Sequence, residues 1–175
     1  MDSFITIKEI DNTAKFLSRQ ILVTPVIALV LGSGLGKLAE EVSDATVIPF
    51  DHIPDWPVST IQGHSGRLVV GNLFGVPAMV MQGRVHYYEG YSMDRVTFPM
   101  RVMQRMGIGN LILTNAAGAI NPDYVPGDVM MLVDQINLIG MAGLNPLRGP
   151  NLAEFGERFP DMSHPYDAGF MDIAR

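Results

Sequence analysis

Val26-Ile27-Ala28-Leu29-Val30-Leu31-Gly32-Ser33-Gly34-Leu35-Gly36 is the stretch that decides the fold. An unbroken apolar run halted by glycines reads as a buried strand that empties into a turn. Upstream, Ile7, Ile10, Ala14, Leu17 and Ile21 recur at three- and four-residue steps, the period of an amphipathic helix. Pro25 is the expected stop for that helix. Downstream, residues 67–74 and 77–82 flank Gly75-Val76 and predict a β-hairpin with a glycine-first turn. Ser92 can cap a helix whose inner face is Met93, Val96, Met100 and Met103, ending near Gly107. Residues 110–114 read as a second buried strand, which delivers Asn115-Ala116-Ala117-Gly118 to a turn, and residues 129–133 as a further strand.

Helices and strands thus alternate, with one antiparallel pair. The expectation is an α/β fold, a mixed β-sheet flanked by helices, in one domain over residues 1–175. Residues 138–162 are rich in Gly, Pro and Asn and read as a long ordered loop, a kind of segment that is often functional. Residues 165–175 begin a helix-like pattern and stop without a glycine cap or polar tail. That ending suggests a polypeptide that once continued, and a fold incomplete at its C-terminus.

Composition narrows the function. The chain of 175 residues is 47% hydrophobic and 17% charged, which fits a folded globular domain. Its 12 Lys+Arg against 18 Asp+Glu leave a net charge of −6, a poor basis for nucleic-acid binding. Any anion site must therefore be a local cluster of donors. There is no cysteine, hence no disulfide framework and no thiolate nucleophile or ligand. The N-terminus lacks a signal-peptide pattern, and the most apolar stretch, residues 21–31, is too short to span a bilayer. The expectation is a cytoplasmic protein with no membrane partner.

Three strand ends carry the chemistry. In the turn of residues 32–36, glycines leave backbone N–H groups open to an anion, and Ser33 adds a hydroxyl. By itself this signal is weak. It is no Walker A loop, because Leu38 follows Lys37, and no dinucleotide fingerprint, because the third glycine comes one residue early. The second stretch is Gly83-Arg84-Val85-His86-Tyr87-Tyr88-Glu89-Gly90-Tyr91. In an extended segment Arg84, His86 and Tyr88 share a face. A guanidinium and an imidazole there can hold one oxyanion, Tyr88 offers an aromatic face to a sugar, and Glu89 can orient or charge His86. The bland alternative is an edge strand with solvated polar side chains. Third, Asn115 and Ala116 end an apolar strand, where ligands of α/β sheets gather. His64, in Gly63-His64-Ser65-Gly66, is by itself an ordinary loop residue. No set of His and carboxylates has convincing metal-ligand spacing.

In chain order these motifs, with Asn145-Pro146-Leu147-Arg148-Gly149-Pro150-Asn151 and Phe155-Gly156-Glu157-Arg158-Phe159-Pro160, resemble the trimeric purine nucleoside phosphorylases. The resemblance runs from the first helix to the last residue. Methylthioadenosine phosphorylases look less similar, because Asn-Ala-Ala-Gly is kept at residues 115–118. The resemblance implies phosphorolysis of purine (deoxy)ribonucleosides to the free base and (deoxy)ribose 1-phosphate. Inorganic phosphate would be co-substrate, with no cofactor and no metal, in a cytoplasmic homotrimer. It implies a phosphate site of Ser33, His64, Arg84, His86 and Ala116, with Arg84 and His86 as the catalytic pair. It places Tyr88 and His86 at the ribose, with Phe159 lent to a neighbouring subunit; Asn115 and Glu89 are supporting residues. Ala119 stands where many relatives have glycine, and Gln135 where His is common. The family's C-terminal third, which supplies the purine contacts, has no counterpart in residues 1–175. The alternative expectation is therefore a catalytically incompetent fragment that retains only the phosphate and ribose half-site.

Overall fold

In the computed structural model, which describes residues 4–59 and 66–175, Thr6 starts the first helix, α1 (Ile7–Gln20). Its hydroxyl accepts the Glu9 N–H while the Glu9 carboxylate accepts the Thr6 N–H, satisfying two polar groups at the helix entry. Ile10, Thr13, Ala14 and Leu17 form the buried face, as the periodicity predicts. The helix ends at Ile21, whose backbone turns extended (φ −85°, ψ 145°). Pro25 thus lies beyond the end and is not the stop.

The sheet is built from β1 (Ile27–Leu31), β2 (Val42–Pro49), β3 (Arg67–Leu73), β4 (Val76–Gln82) and β5 (Asn110–Leu113), in the order β2-β3-β4-β1-β5. β4, β1 and β5 run parallel, whereas β2, β3 and β4 are antiparallel neighbours. The sheet is mixed, as expected, but has two antiparallel pairs because β2 was not foreseen. Its register shifts between Ser43 and Thr46, and Asp44 adopts φ 51°. Such a bulge interrupts the two-residue alternation that marks a strand in sequence.

The β3–β4 hairpin turns on Phe74 and Gly75, both left-handed at φ 51° and 82°. Two positive φ values in a two-residue loop match the right-handed twist of the strands. Glycine is therefore the second turn residue, and Phe74 stands at the position expected for glycine. Leu29 and Leu31 of β1, Val69 of β3 and Ala78 and Val80 of β4 join one apolar cluster with Ala39 and Val42. The alternate residues Val30, Leu68, Val70, Met79 and Met81 are also buried, so the central strands are covered on both faces.

After β4 comes α2 (Met93–Arg105), which contacts α1. Phe98, Pro99, Val102 and Met103 are its buried residues, so of the predicted face Met93, Val96, Met100 and Met103 only Met103 is deeply buried and the other three are half-buried. Burying a side chain the size of Phe98 stabilises by about 1.5–3 kcal/mol. Gly107 follows in a left-handed conformation (φ 87°), consistent with the expected C-terminal signal. β5 is not buried: Leu111, Ile112 and Leu113 are exposed, because among the described strands β5 pairs only with β1.

The chain divides into two compact units, Met1–Ala116 and Ala117–Arg175. In the second, α3 (Leu138–Met141) is capped by Asn137, and α4 (Ala168–Ala174) by Asp167. The Tyr166 hydroxyl donates to Gln135 Oε1 at 3.2 Å. Residues 129–133, expected as a strand, make no strand pairing and are exposed. An apolar run without alternation does not by itself specify a strand, which also needs a partner. Among the described residues no helix is long and apolar enough to cross a membrane.

Candidate active site

Because β4, β1 and β5 are parallel, their carboxyl ends share one edge of the sheet. Leu31 lies beside Gln82, and Val30 beside Leu113. The segments that leave these strands meet around a cavity of about 890 Å³, which Ser33, Arg84, His86, Tyr88, Asn115 and Ala116 line together. Val96, Pro99 and Met100 of α2 supply apolar wall. The convergence expected from the sequence is thus realised for six of the nominated residues.

The turn after β1 is tightly built. Leu35 N–H donates to the Gly32 carbonyl at 3.2 Å, and Gly34 takes φ 88°, a conformation glycine adopts without a Cβ penalty. At Gly32 an added Cβ would lie 2.8 Å from Asn115 Cα and from the Thr114 carbonyl oxygen. Glycine there permits the close approach of two strand ends.

Arg84 follows β4 and donates from Nη1 to the Thr114 carbonyl at 3.0 Å. The backbone leaving β5 therefore braces the guanidinium at the cavity, a local positive charge in a chain of net charge −6. His86 is extended, and Tyr87–Glu89 then form a single 3-10 turn. Tyr88 therefore does not continue an extended face, as the spacing predicts. It folds back instead, so that its ring stacks on His86 with centroids 4.8 Å apart and planes 14° from parallel. Glu89 Oε1 accepts from the His86 backbone N–H at 2.7 Å and lies 2.8 Å from Nδ1. Its other oxygen accepts from the Ser59 hydroxyl at 3.0 Å. Glu89 is thus a sheltered carboxylate that fixes the imidazole, as the sequence suggests, and that also reaches Ser59.

His64 lies outside the described residues. Phe159 belongs to the second unit and is 85% exposed. Among the described residues no group of His and carboxylates could hold a metal ion. Two polar residues at the strand ends escaped the sequence reading. The Thr114 hydroxyl accepts the Gly32 N–H at 2.8 Å and donates to the Val30 carbonyl at 2.9 Å. Gln82, buried, donates from Nε2 to the Gly36 carbonyl at 2.7 Å and accepts from Arg67 Nε. The available signal was a polar residue closing an apolar run.

Comparison with known proteins agrees with this geometry. The model of the Phosphorylase superfamily matches residues 26–175. Purine nucleoside phosphorylase 1 of Bacillus subtilis is 50% identical over 165 residues, which are 94% of this chain and 60% of that protein. The mouse purine nucleoside phosphorylase is 48% identical over 95% of this chain and 58% of its own length. A crystal structure of isoform 2 of purine nucleoside phosphorylase from Schistosoma mansoni, in complex with cytosine and ribose-1-phosphate, superposes with a TM-score of 0.91 at 41% identity. That alignment covers 99% of this chain and 61% of the other. The chain spans about 60% of the length of the relatives it matches. It belongs to the Phosphorylase superfamily, and the relatives it resembles there are purine nucleoside phosphorylases.

Proposed function

We propose that the residues 1–175 form the phosphate- and ribose-handling part of a purine nucleoside phosphorylase domain, and that the reaction served is phosphorolysis of purine (deoxy)ribonucleosides. The observation that carries this reading is the single cavity joining Ser33, Arg84, His86 and Ala116 at three parallel strand ends. Phosphate carries one to two negative charges near neutral pH and is held best by several charge-assisted donors. Arg84, the Ser33 hydroxyl and the Ala116 N–H are donors of that kind. With Nδ1 engaged by Glu89, the ligand-facing role of His86 falls to Nε2. His64 would complete the set.

In this reading a phosphate oxygen attacks C1′ of the sugar as the bond from C1′ to the purine nitrogen breaks, its electron pair leaving with the base. The transition state is oxocarbenium-like. The bound dianion then serves both as nucleophile and as counter-charge to the sugar. No protein nucleophile and no cofactor is required. Tyr88, stacked on His86, offers its ring to the ribose, and Phe159 reaches a neighbouring subunit's sugar pocket in a cytoplasmic homotrimer.

The test is release of hypoxanthine from inosine by the purified chain, with and without phosphate. Turnover that requires phosphate is expected. Equal release without phosphate would overturn phosphorolysis. Phosphate binding without turnover would mean that residues 1–175 hold only the half-site. Sedimentation of the same sample tests the trimer.

A further inference from the structure

The turn that bears Ser33 is held at both ends by side chains from the carboxyl ends of the two neighbours of β1: Gln82, the last residue of β4, and Thr114, the residue that follows β5. At its entry, the Gly32 N–H donates to Thr114 Oγ1 at 2.8 Å. That hydroxyl in turn donates to the Val30 carbonyl at 2.9 Å, so it is engaged both as acceptor from Gly32 and as donor to Val30. At its exit, the Gly36 carbonyl accepts from Gln82 Nε2 at 2.7 Å. The orientation of that amide is dictated from its other side. Arg67 can only donate, so the contact with Arg67 Nε must be made by Gln82 Oε1, which turns Nε2 towards Gly36. Gln82 is 7% exposed, and a buried amide that lost either partner would be strongly disfavoured. Between the two ends, the Leu35-to-Gly32 bond closes the turn around Ser33 and Gly34.

We propose that Thr114 and Gln82 are positioning residues that clamp the two ends of the turn and thereby aim the Ser33 hydroxyl at the bound phosphate. The proposal rests on the reading of this cavity as a phosphate site. Both residues line the cavity, but the side-chain polar atoms of each are engaged by protein: the Thr114 hydroxyl by Gly32 and Val30, the Gln82 amide by Gly36 and Arg67. Thr114 presents its hydroxyl to the turn and only its backbone carbonyl to Arg84, so Thr114→Val removes the clamp while leaving the Arg84 brace in place.

The experiment is calorimetric titration of the 175-residue protein with inorganic phosphate, with circular dichroism to verify folding of each variant. Thr114→Val and Gln82→Met should each weaken binding about fivefold, the effect of one lost hydrogen bond. Thr114→Ser, which keeps the hydroxyl, should bind within about twofold of the parent. In the Ser33→Ala background, adding Thr114→Val should cost no more than about twofold further, because the two residues act as one unit. Parent-like affinity in both clamp variants would overturn the proposal, as would a Thr114→Ser loss equal to that of Thr114→Val, or fully multiplicative effects with Ser33→Ala. Should Thr114→Val fail to fold, Gln82→Met decides the matter on affinity alone. Absence of phosphate binding by the parent protein would sink the site reading itself and the clamp with it. Binding by the parent together with unaffected variants sinks only the clamp.

Discussion

Glu89 holds His86 twice through one oxygen: Oε1 accepts the backbone N–H at 2.7 Å and lies 2.8 Å from ring Nδ1. Backbone and ring are thus referred to the same atom, which fixes the χ1 and χ2 of His86 as well as its tautomer. Removing the carboxylate should cost phosphate affinity without removing any ligand contact. Glu89→Ala is expected to weaken phosphate binding on the order of tenfold, the effect of a lost charge-assisted bond. Glu89→Gln retains an acceptor and should lose less. Titration calorimetry ranks the three proteins, and equal affinity in all of them would refute the orienting role.

Arg84 is braced by a backbone carbonyl, which sets the orientation of its guanidinium at the cavity and, on the proposed reading, towards phosphate. Arg84→Ala should weaken phosphate binding by roughly ten- to a hundredfold, the range for a hydrogen bond to a charged group. Nucleoside affinity should change far less. Arg84→Lys keeps the charge but loses the planar fork, and recovery should be incomplete. Comparing phosphate and inosine dissociation constants across the variants checks the assignment. A parallel loss for both ligands would contradict it.

Gly32 is set where two strand ends nearly touch, and a Cβ would meet backbone on the neighbouring segment at 2.8 Å. Backbone cannot swing aside as the end of a side chain can. Gly32→Ala should destabilise the protein by about 1–3 kcal/mol, the usual cost of overpacking. Urea denaturation measures it. A variant as stable as the parent would show that the two segments part easily.

Acid should loosen the junction of α1 and α2. Burial alone would raise the Glu9 carboxyl, but bonds from Arg95 and Thr6 outweigh it and hold the group below its ordinary 4.5. Asp94 is likewise raised by burial and lowered more by Ser92 and by the N–H groups of Ile5 and Arg95. A depressed folded pKa contributes stability that is complete above the unfolded value and is lost as pH falls through the folded one. The thermal midpoint should therefore decline as pH drops below about 4.5, and Glu9→Gln should flatten that decline. A pH profile of melting temperature for both proteins provides the check.

The expectation of a mixed α/β sheet could be read from the chain because β1 and its glycine turn are encoded in consecutive residues, and the His86–Glu89 pair spans only three positions. Local steric preference and near-neighbour geometry suffice there. The expected strand over residues 129–133 failed for the converse reason, since apolarity without a partner does not make a strand.

What the sequence alone determined is therefore the strand, the turn and the donors Arg84 and His86 with the carboxylate of Glu89 close by in the chain. Only the tertiary structure decided what those donors lean on. Thr114 meets Gly32 across 82 residues and Arg84 across 30, and Gln82 meets Gly36 across 46. Those contacts exist because β1 is sandwiched between β4 and β5, an order that differs from the order of the chain. A polar residue at a strand end acquires its partner only when the neighbouring strand is chosen, and that choice is made by the packing of the whole sheet.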